Sequence, residues 1–183
     1  MTLSFSTQIN GKPNYFIEKV WNGLIDSKIA TISDYQNARF EYNDKFGVDW
    51  DDFSLDKPKL HTIREDKHDR WKAGNLIHPV INNRRPNRFQ FAPCFPCVSI
   101  QKIRITDISH RSKIANVGIV IDYQVNDVTF QLYWSVEVSG VELNEAQIKQ
   151  LAVNDGFDSS KDFFQYFHKS GEYKLIHFTD LRY

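Results

Sequence analysis

The sequence predicts a mixed α+β fold built on an antiparallel sheet. Six to eight short segments have the apolar patterns of strands, and a few longer ones have helical spacing. These segments do not alternate in the strand-helix-strand order that a parallel sheet requires. The chain has 183 residues, 41% of them hydrophobic, which is enough for one domain with a sizeable core.

Helix signals occur in four parts of the chain. Asn14 is a candidate N-cap for a first helix, in which Phe16, Val20 and Leu24 recur at helical spacing. A second helix is expected from about Ser33 to Phe46. Near the C-terminus, two further helices are expected to begin at the candidate caps Asn144 and Ser159.

Strand signals cover much of the remaining chain. We expect an opening strand within Leu3 to Gln8 and a final strand within Lys174 to Thr179. Between them, the β-rich runs Gly118 to Val125 and Val128 to Val138 are joined by Asn126-Asp127. Such a dipeptide is typical of hairpin turns, so these runs are expected to pair.

A central run, Lys57 to Gly74, contains the spacing Lys-x-x-Thr-x-Arg. Strand alternation places Thr62 and Arg64 on one face of a short strand. In a regular strand Lys59 would lie on the opposite side, so it joins them only from a bend. Pro58 favours a bend at that point.

This spacing, followed by a charged turn, an aromatic residue and Lys-Ala-Gly, resembles the ASCH family of PUA-like proteins. That family includes small N4-acetylcytidine amidohydrolases. A second segment, Leu151 to Phe157, is similar to the family's acidic-Gly-aromatic signature before its last helix.

The resemblance implies a PUA-like, partly open antiparallel β-barrel with flanking helices. We therefore expect a single ASCH domain over residues 1–183. It carries a helical and acidic insertion at about 24–56, which the small family members lack. Whether the resemblance extends to the long hairpin of 118–138 is open.

A catalytic hypothesis follows from the same residues. A threonine hydroxyl needs a neighbouring base to act as a nucleophile. The resemblance assigns the roles of base, nucleophile and acid to Lys59, Thr62 and Asp155, and ligand binding to Arg64. The chain departs from those enzymes in having aspartate where they have glutamate. In the structural alternative, Thr62 is an ordinary strand residue, Lys59 is solvated and Asp155 lies in a turn.

The charge distribution gives a second candidate site. Formal net charge is zero, with 23 basic and 23 acidic residues, so no broad cationic field indicates a nucleic-acid protein. Locally, Lys57 to Arg88 holds nine basic and three acidic residues. Within it, Arg84, Arg85 and Arg88 are candidate phosphate contacts, and Trp71 is a candidate stacking face. Simple exposure of the arginines is the alternative.

Cys94 and Cys97 are spaced as half of a zinc site, which His78 or His110 would have to complete. The alternative is a Pro-kinked loop with two small thiols, and we expect no metal and no cofactor. No apolar run approaches the ~18 residues of a membrane span, and no signal-peptide pattern begins the chain. These features predict a soluble cytoplasmic protein without membrane contact.

The leading hypothesis is a domain that binds RNA, a nucleotide or a modified nucleoside in a cleft around Lys59, Thr62, Arg64 and Asp155. One alternative is an enzyme, either an amidohydrolase that deacylates N4-acylcytidine or a ribonuclease. Another is a protein-interaction module that uses the acidic insertion as its contact surface.

Overall fold

The computed structural model describes residues 1–50, 57–110 and 118–183. These residues contain four helices: α1 (Phe16–Asp26), α2 (Ile32–Phe46), α3 (Glu145–Asn154) and α4 (Ser160–Tyr166). The same ranges contain twelve strands: β1 (Thr2–Ser4), β2 (Gln8–Ile9), β3 (Lys12–Pro13), β4 (His61–Arg64), β5 (Leu76–Ile81), β6 (Phe89–Gln90), β7 (Phe95–Pro96), β8 (Ser99–Asp107), β9 (Ile119–Val125), β10 (Val128–Val138), β11 (Val141–Glu142) and β12 (Gly171–His177).

The largest sheet is antiparallel and curls into half a barrel. Its strands follow the order β11-β10-β8-β12-β4, and β9 also pairs with β10. A second sheet has the order β1-β5-β6 with β7 paired to β5, and its β1 and β5 run parallel. A short hairpin joins β2 and β3. The predicted α+β class on an antiparallel sheet is therefore confirmed.

Side-chain caps begin three of the four described helices, two of them at the predicted residues Asn144 and Ser159. For α1 the expected cap is wrong by one residue: the N-cap is Tyr15, which makes no side-chain cap bond, and the Asn14 side chain accepts a hydrogen bond from the Phe16 amide at 3.1 Å. The other three helices begin at the caps Thr31, Asn144 and Ser159. Each of these three side chains accepts a hydrogen bond from a backbone N–H group that the first helical turn would otherwise leave unpaired.

Strand ends differ from expectation more than helix starts do. The hairpin turn at Asn126-Asp127 is confirmed, and both residues have positive φ, as a type I′ turn requires. The opening strand is shorter than expected and ends at Ser4. The final strand starts at Gly171, three residues earlier than expected, because β12 pairs with β8 from that residue onward.

The described part of the 24–56 segment contributes to the core. Tyr35 of α2 packs edge-on against Trp21 of α1, with ring centroids 5.5 Å apart. The Trp50 indole N–H donates to the Tyr35 hydroxyl at 3.2 Å, and Tyr42 packs against Phe89. Removing this segment would therefore expose aromatic surface on α1 and β6.

Within the described ranges, none of the helices combines the length and apolar content that crossing a membrane demands.

Candidate functional site

Lys59 and Asp155 form a buried ion pair. They are 96 residues apart in sequence, and their exposed fractions are 1% and 3%. The Lys59 Nζ donates to Asp155 Oδ1 at 2.8 Å and also to the Asp155 carbonyl oxygen. The same ammonium lies 4.6 Å from the ring centroid of Phe16, which closes the site on one side. The structure therefore brings together the predicted base and the predicted acid.

Helix α1 fixes the position of the Lys59 backbone. The Lys59 amide donates to the Lys19 carbonyl at 2.8 Å, and the next amide, that of Leu60, donates to the Asn154 carbonyl. A Cβ at Gly23 would lie 2.3 Å from the Lys59 carbonyl oxygen. Gly23 therefore permits the close approach of this segment to α1.

A glycine is also required immediately after Asp155. Gly156 has φ of 89°, and a Cβ there would lie 3.1 Å from the Phe16 ring and 3.2 Å from Lys59 Cδ. Its carbonyl accepts a hydrogen bond from Lys19 Nζ at 3.0 Å. The Asp155-Gly156 turn thus directs the carboxylate toward Lys59 and keeps room for the lysine stem.

Burial dominates the electrostatics of the pair. It lowers the pKa of Lys59 from 10.5 to about 8, and the Asp155 charge offsets only part of this effect. Burial alone would raise the pKa of Asp155, but the Lys59 charge and contact with His61 outweigh it, so that pKa is lowered. Both groups are therefore charged at neutral pH, and the lysine loses its proton more readily than a solvated one.

A chain of polar contacts leads from Asp155 to the C-terminal residue. His61 Nδ1 lies 3.5 Å from Asp155 Oδ1, and His61 Nε2 lies 2.9 Å from the Tyr183 hydroxyl. Asn154 Nδ2 donates to that hydroxyl at 2.7 Å, so the hydroxyl proton is directed at His61 Nε2. This assignment places the His61 proton on Nδ1, which faces Asp155 but makes no hydrogen bond among the described residues.

His177 extends this buried cluster. Its ring is 5.5 Å from that of His61, and neither of its nitrogens has a hydrogen-bond partner among the described residues. Burial lowers the pKa of His177 to about 3, with smaller contributions from His61 and Arg182. The ring is therefore neutral near pH 7. His61 and His177 lie in strand-like runs of the sequence, but no sequence pattern indicated that they would meet Tyr183 in one cluster.

Thr62 and Arg64 lie on the other face of β4. Thr62 is buried opposite Ile176 of β12, and alternation separates its side chain from that of His61. Among the described residues, no hydrogen bond joins the Lys59 amine to the Thr62 hydroxyl. The Arg64 guanidinium donates to the Ser4 carbonyl at 2.9 Å. The structure thus does not place these two side chains in contact with the ion pair.

Arg64 instead lines a groove of about 1400 Å³ on that face. Its charges are mixed and largely paired. Arg104 contacts Glu137 at 3.3 Å and Glu172 at 3.0 Å, and Lys174 contacts Asp66 at 3.3 Å. The groove therefore carries mixed charge, with six Lys or Arg and five Asp or Glu side chains in its lining.

Among the described residues, the remaining predicted ligand-binding residues form no hydrogen bond or ion pair with Lys59 or Asp155. Trp71 is 5% exposed and belongs to the core, so in this structure it presents no open ring face. Arg84, Arg85 and Arg88 are exposed on the loop between β5 and β6. This loop meets α2, where Lys45 Nζ donates to the Arg88 carbonyl at 3.0 Å.

The two cysteines are in different environments. Cys94 is exposed, with its sulfur 3.1 Å from His78 Nδ1, whereas Cys97 is buried. Within the described ranges, no group of three or more His, Cys, Asp or Glu side chains is arranged to hold a metal ion.

No protein-family model matches this chain, and comparisons with curated proteins and with solved structures also find no match. The resemblance to the ASCH family therefore rests on its own residues, those of the Lys-x-x-Thr-x-Arg strand and the Asp-Gly turn.

Proposed function

We propose that this chain is an ASCH-type PUA-like domain that binds RNA, a nucleotide or a modified nucleoside beside Lys59 and Asp155. The observation that carries the proposal is their buried ion pair. Its two members come from the two separate segments on which the resemblance rests. Burying two charges costs several kcal/mol unless excellent geometry and hydrogen bonds offset it, and perturbed pKa values concentrate at functional sites.

Access to this pair defines how a ligand would bind. Phe16 lies over the Lys59 ammonium, and both charged groups are closed off from solvent. A ligand that approaches from that side must displace the Phe16 ring. Replacing that ring with a leucine side chain would loosen the cover, so Phe16→Leu should increase the association rate of a nucleoside ligand.

The test is a binding titration with cytidine, N4-acetylcytidine and a short single-stranded RNA. Binding of at least one of them, lost in Lys59→Met/Asp155→Asn, would support the proposal. That double variant removes both charges together and leaves neither one buried alone. A folded protein that binds none of the three ligands would refute it.

Salt dependence separates the ligand classes. A single-stranded RNA held through Arg84, Arg85 and Arg88 should bind with a log-log salt slope that falls by ~0.7 for each contact removed. A nucleoside lacks phosphates and should give a nearly flat response.

A second candidate function, deacylation of N4-acylcytidine, is favoured by one observation. The Lys59 pKa of about 8 brings this amine within reach of proton transfer near neutral pH. The position of Thr62 on the opposite face of β4 weighs against threonine as the nucleophile. Release of acetate from N4-acetylcytidine, abolished by Lys59→Met and by Thr62→Val, would establish the enzyme. Cleavage of the RNA ligand in the same experiments would identify a ribonuclease instead.

A further inference from the structure

A thiol and an imidazole are in contact on the second sheet. The Cys94 sulfur lies 3.1 Å from His78 Nδ1, although the two residues are 16 positions apart in sequence. Gln90 Nε2 donates a hydrogen bond to the same sulfur at 3.5 Å. Cys94 is exposed, so a molecule from solvent can reach the sulfur. A nucleophile within hydrogen-bond reach of a base is the arrangement that makes a thiol reactive.

The sheet topology explains why these side chains meet. His78 lies in β5, which pairs with β6 at one end and with β7 at the other. Between these two short strands the ladder is interrupted opposite Pro79, which has no N–H group to donate. The Pro79 carbonyl accepts a hydrogen bond from the Phe91 amide at 3.2 Å, and the chain then leaves the sheet until β7. Cys94 is the last residue of this excursion and lies beside the His78 ring.

The thiol stands on a restrained loop. Pro93 precedes Cys94 and limits its backbone conformation. Phe95 follows it, is 1% exposed, and packs against Phe178 with ring centroids 5.3 Å apart. Phe95 also begins β7 and pairs with β5. Both neighbours restrict the movement of Cys94, so the contact between its sulfur and His78 needs no conformational change.

The second cysteine lies in different surroundings. Cys97 is 1% exposed, and its thiol donates to the Ser99 carbonyl at 3.5 Å. Burial raises the pKa of the Cys97 thiol, which keeps this thiol protonated and weakly nucleophilic. Of the two thiols, Cys94 is therefore the one placed to react.

We propose that Cys94 is a nucleophilic thiol activated by His78, and that it is a site of reversible modification by low-molecular-weight disulfides such as oxidised glutathione. The thiol proton passes to His78 Nδ1, and the Cys94 sulfur attacks one sulfur of the disulfide. A new S–S bond forms as the original one breaks, and the leaving thiolate takes the proton from His78. The products are a mixed disulfide at Cys94 and one free thiol, so no further oxidant is consumed. The inference is independent of the proposed ligand site, since it rests on the second sheet.

The expected gain in rate follows from the thiolate fraction. The thiolate is the attacking species, and a free cysteine is only a few per cent thiolate near pH 7. Proton transfer to His78 raises that fraction, and the Gln90 donor stabilises the negative sulfur. We therefore expect Cys94 to react about tenfold faster in the folded chain than in the unfolded one.

The experiment incubates the chain with oxidised glutathione at pH 7, with and without urea. Glutathione bound to each cysteine is followed over time by tandem mass spectrometry, which distinguishes the two positions. Label should accumulate on Cys94 of the folded chain at the higher rate. Equal rates at Cys94 in the folded and unfolded chains would overturn the proposal. Label that appears first on Cys97, or a Cys94–Cys97 disulfide as the main product, would overturn it as well.

The variants test the role of the imidazole. His78→Gln keeps a polar side chain of similar size but removes the base, so the rate at Cys94 should fall about tenfold at pH 7. In this variant the rate should rise about tenfold per pH unit up to pH 8, as for a plain thiol, whereas the native rate should change less with pH. His168→Gln removes an exposed histidine after α4 and should alter neither rate nor pH profile.

A His78→Gln rate and pH profile equal to those of the native chain would show that His78 does not activate the thiol. Should that variant fail to fold, the comparison of folded and unfolded native chain still decides.

Discussion

Replacing Asp155 with asparagine tests the physical basis of the buried pair. In Asp155→Asn the Lys59 ammonium stays buried without its counter-ion. Removing one partner of a buried ion pair typically costs ~3–5 kcal/mol of unfolding free energy, mostly because the other charge is left uncompensated. Lys59→Met/Asp155→Asn removes both charges and should recover most of that loss.

The pH dependence gives the sharper signature. Lys59 has a folded-state pKa of about 8, below its ordinary value of 10.5. Between these values the unfolded chain binds the proton and the folded chain does not, so stability rises with pH. At ~1.4 kcal/mol per pH unit, the increase over this range is about 3 kcal/mol. Without Asp155 the folded-state pKa of Lys59 falls further, so in Asp155→Asn the rise in unfolding free energy begins below pH 8.

The deficit of Asp155→Asn should therefore be largest below the variant's Lys59 pKa, shrink as the pH rises toward 8, and stay small and constant above pH 8. Urea unfolding of the native chain, the single variant and the double variant at pH 6.5 and pH 9.5 measures this directly. A deficit under 1 kcal/mol at pH 6.5, or one that is equal at both pH values, would refute the buried-charge argument.

Three further predictions concern packing and reactivity. A thiol-labelling reagent should modify exposed Cys94 in the native chain and reach buried Cys97 only after unfolding, which mass spectrometry of the labelled peptides resolves. Trp50→Ala should lower the unfolding free energy by ~3–5 kcal/mol in urea titrations, because it removes a buried ring from the core. Gly23→Ala should destabilise the fold by at least ~1–3 kcal/mol and displace Lys59, because the added methyl meets its carbonyl; amide shifts around Lys59 would detect this.

The local features of this fold were predictable because their causes are local. A capping side chain lies within three residues of the amide it accepts, so Asn144 and Ser159 indicate helix starts without knowledge of the remaining chain. The same holds for the Asn126-Asp127 turn. Strand ends depend on partners distant in sequence, which explains why β12 begins at Gly171 and not at Lys174.

The site was predictable only in part. Alternation shows which residues share a face but not which face another element covers, so the burial of Trp71 had no sequence signal. The contact of His61 with Tyr183 spans 122 residues and depends on where the C-terminus packs. The pairing of Lys59 with Asp155 was anticipated through the family resemblance, because no local pattern links positions 96 residues apart.

The geometry of the Lys59 amine bears on the choice between binding and catalysis. An ammonium has three N–H donors. Two are directed at Asp155, to its carboxylate and its carbonyl, and the Phe16 ring lies over the same nitrogen. A general base needs a free lone pair that faces its substrate. Here Asp155 and the Phe16 ring lie against the Lys59 nitrogen. The shorter carboxylate of aspartate forms its bond to Lys59 directly from the turn at Gly156. As arranged, Lys59 is a fixed positive charge, which suits holding a ligand more than taking a proton from one.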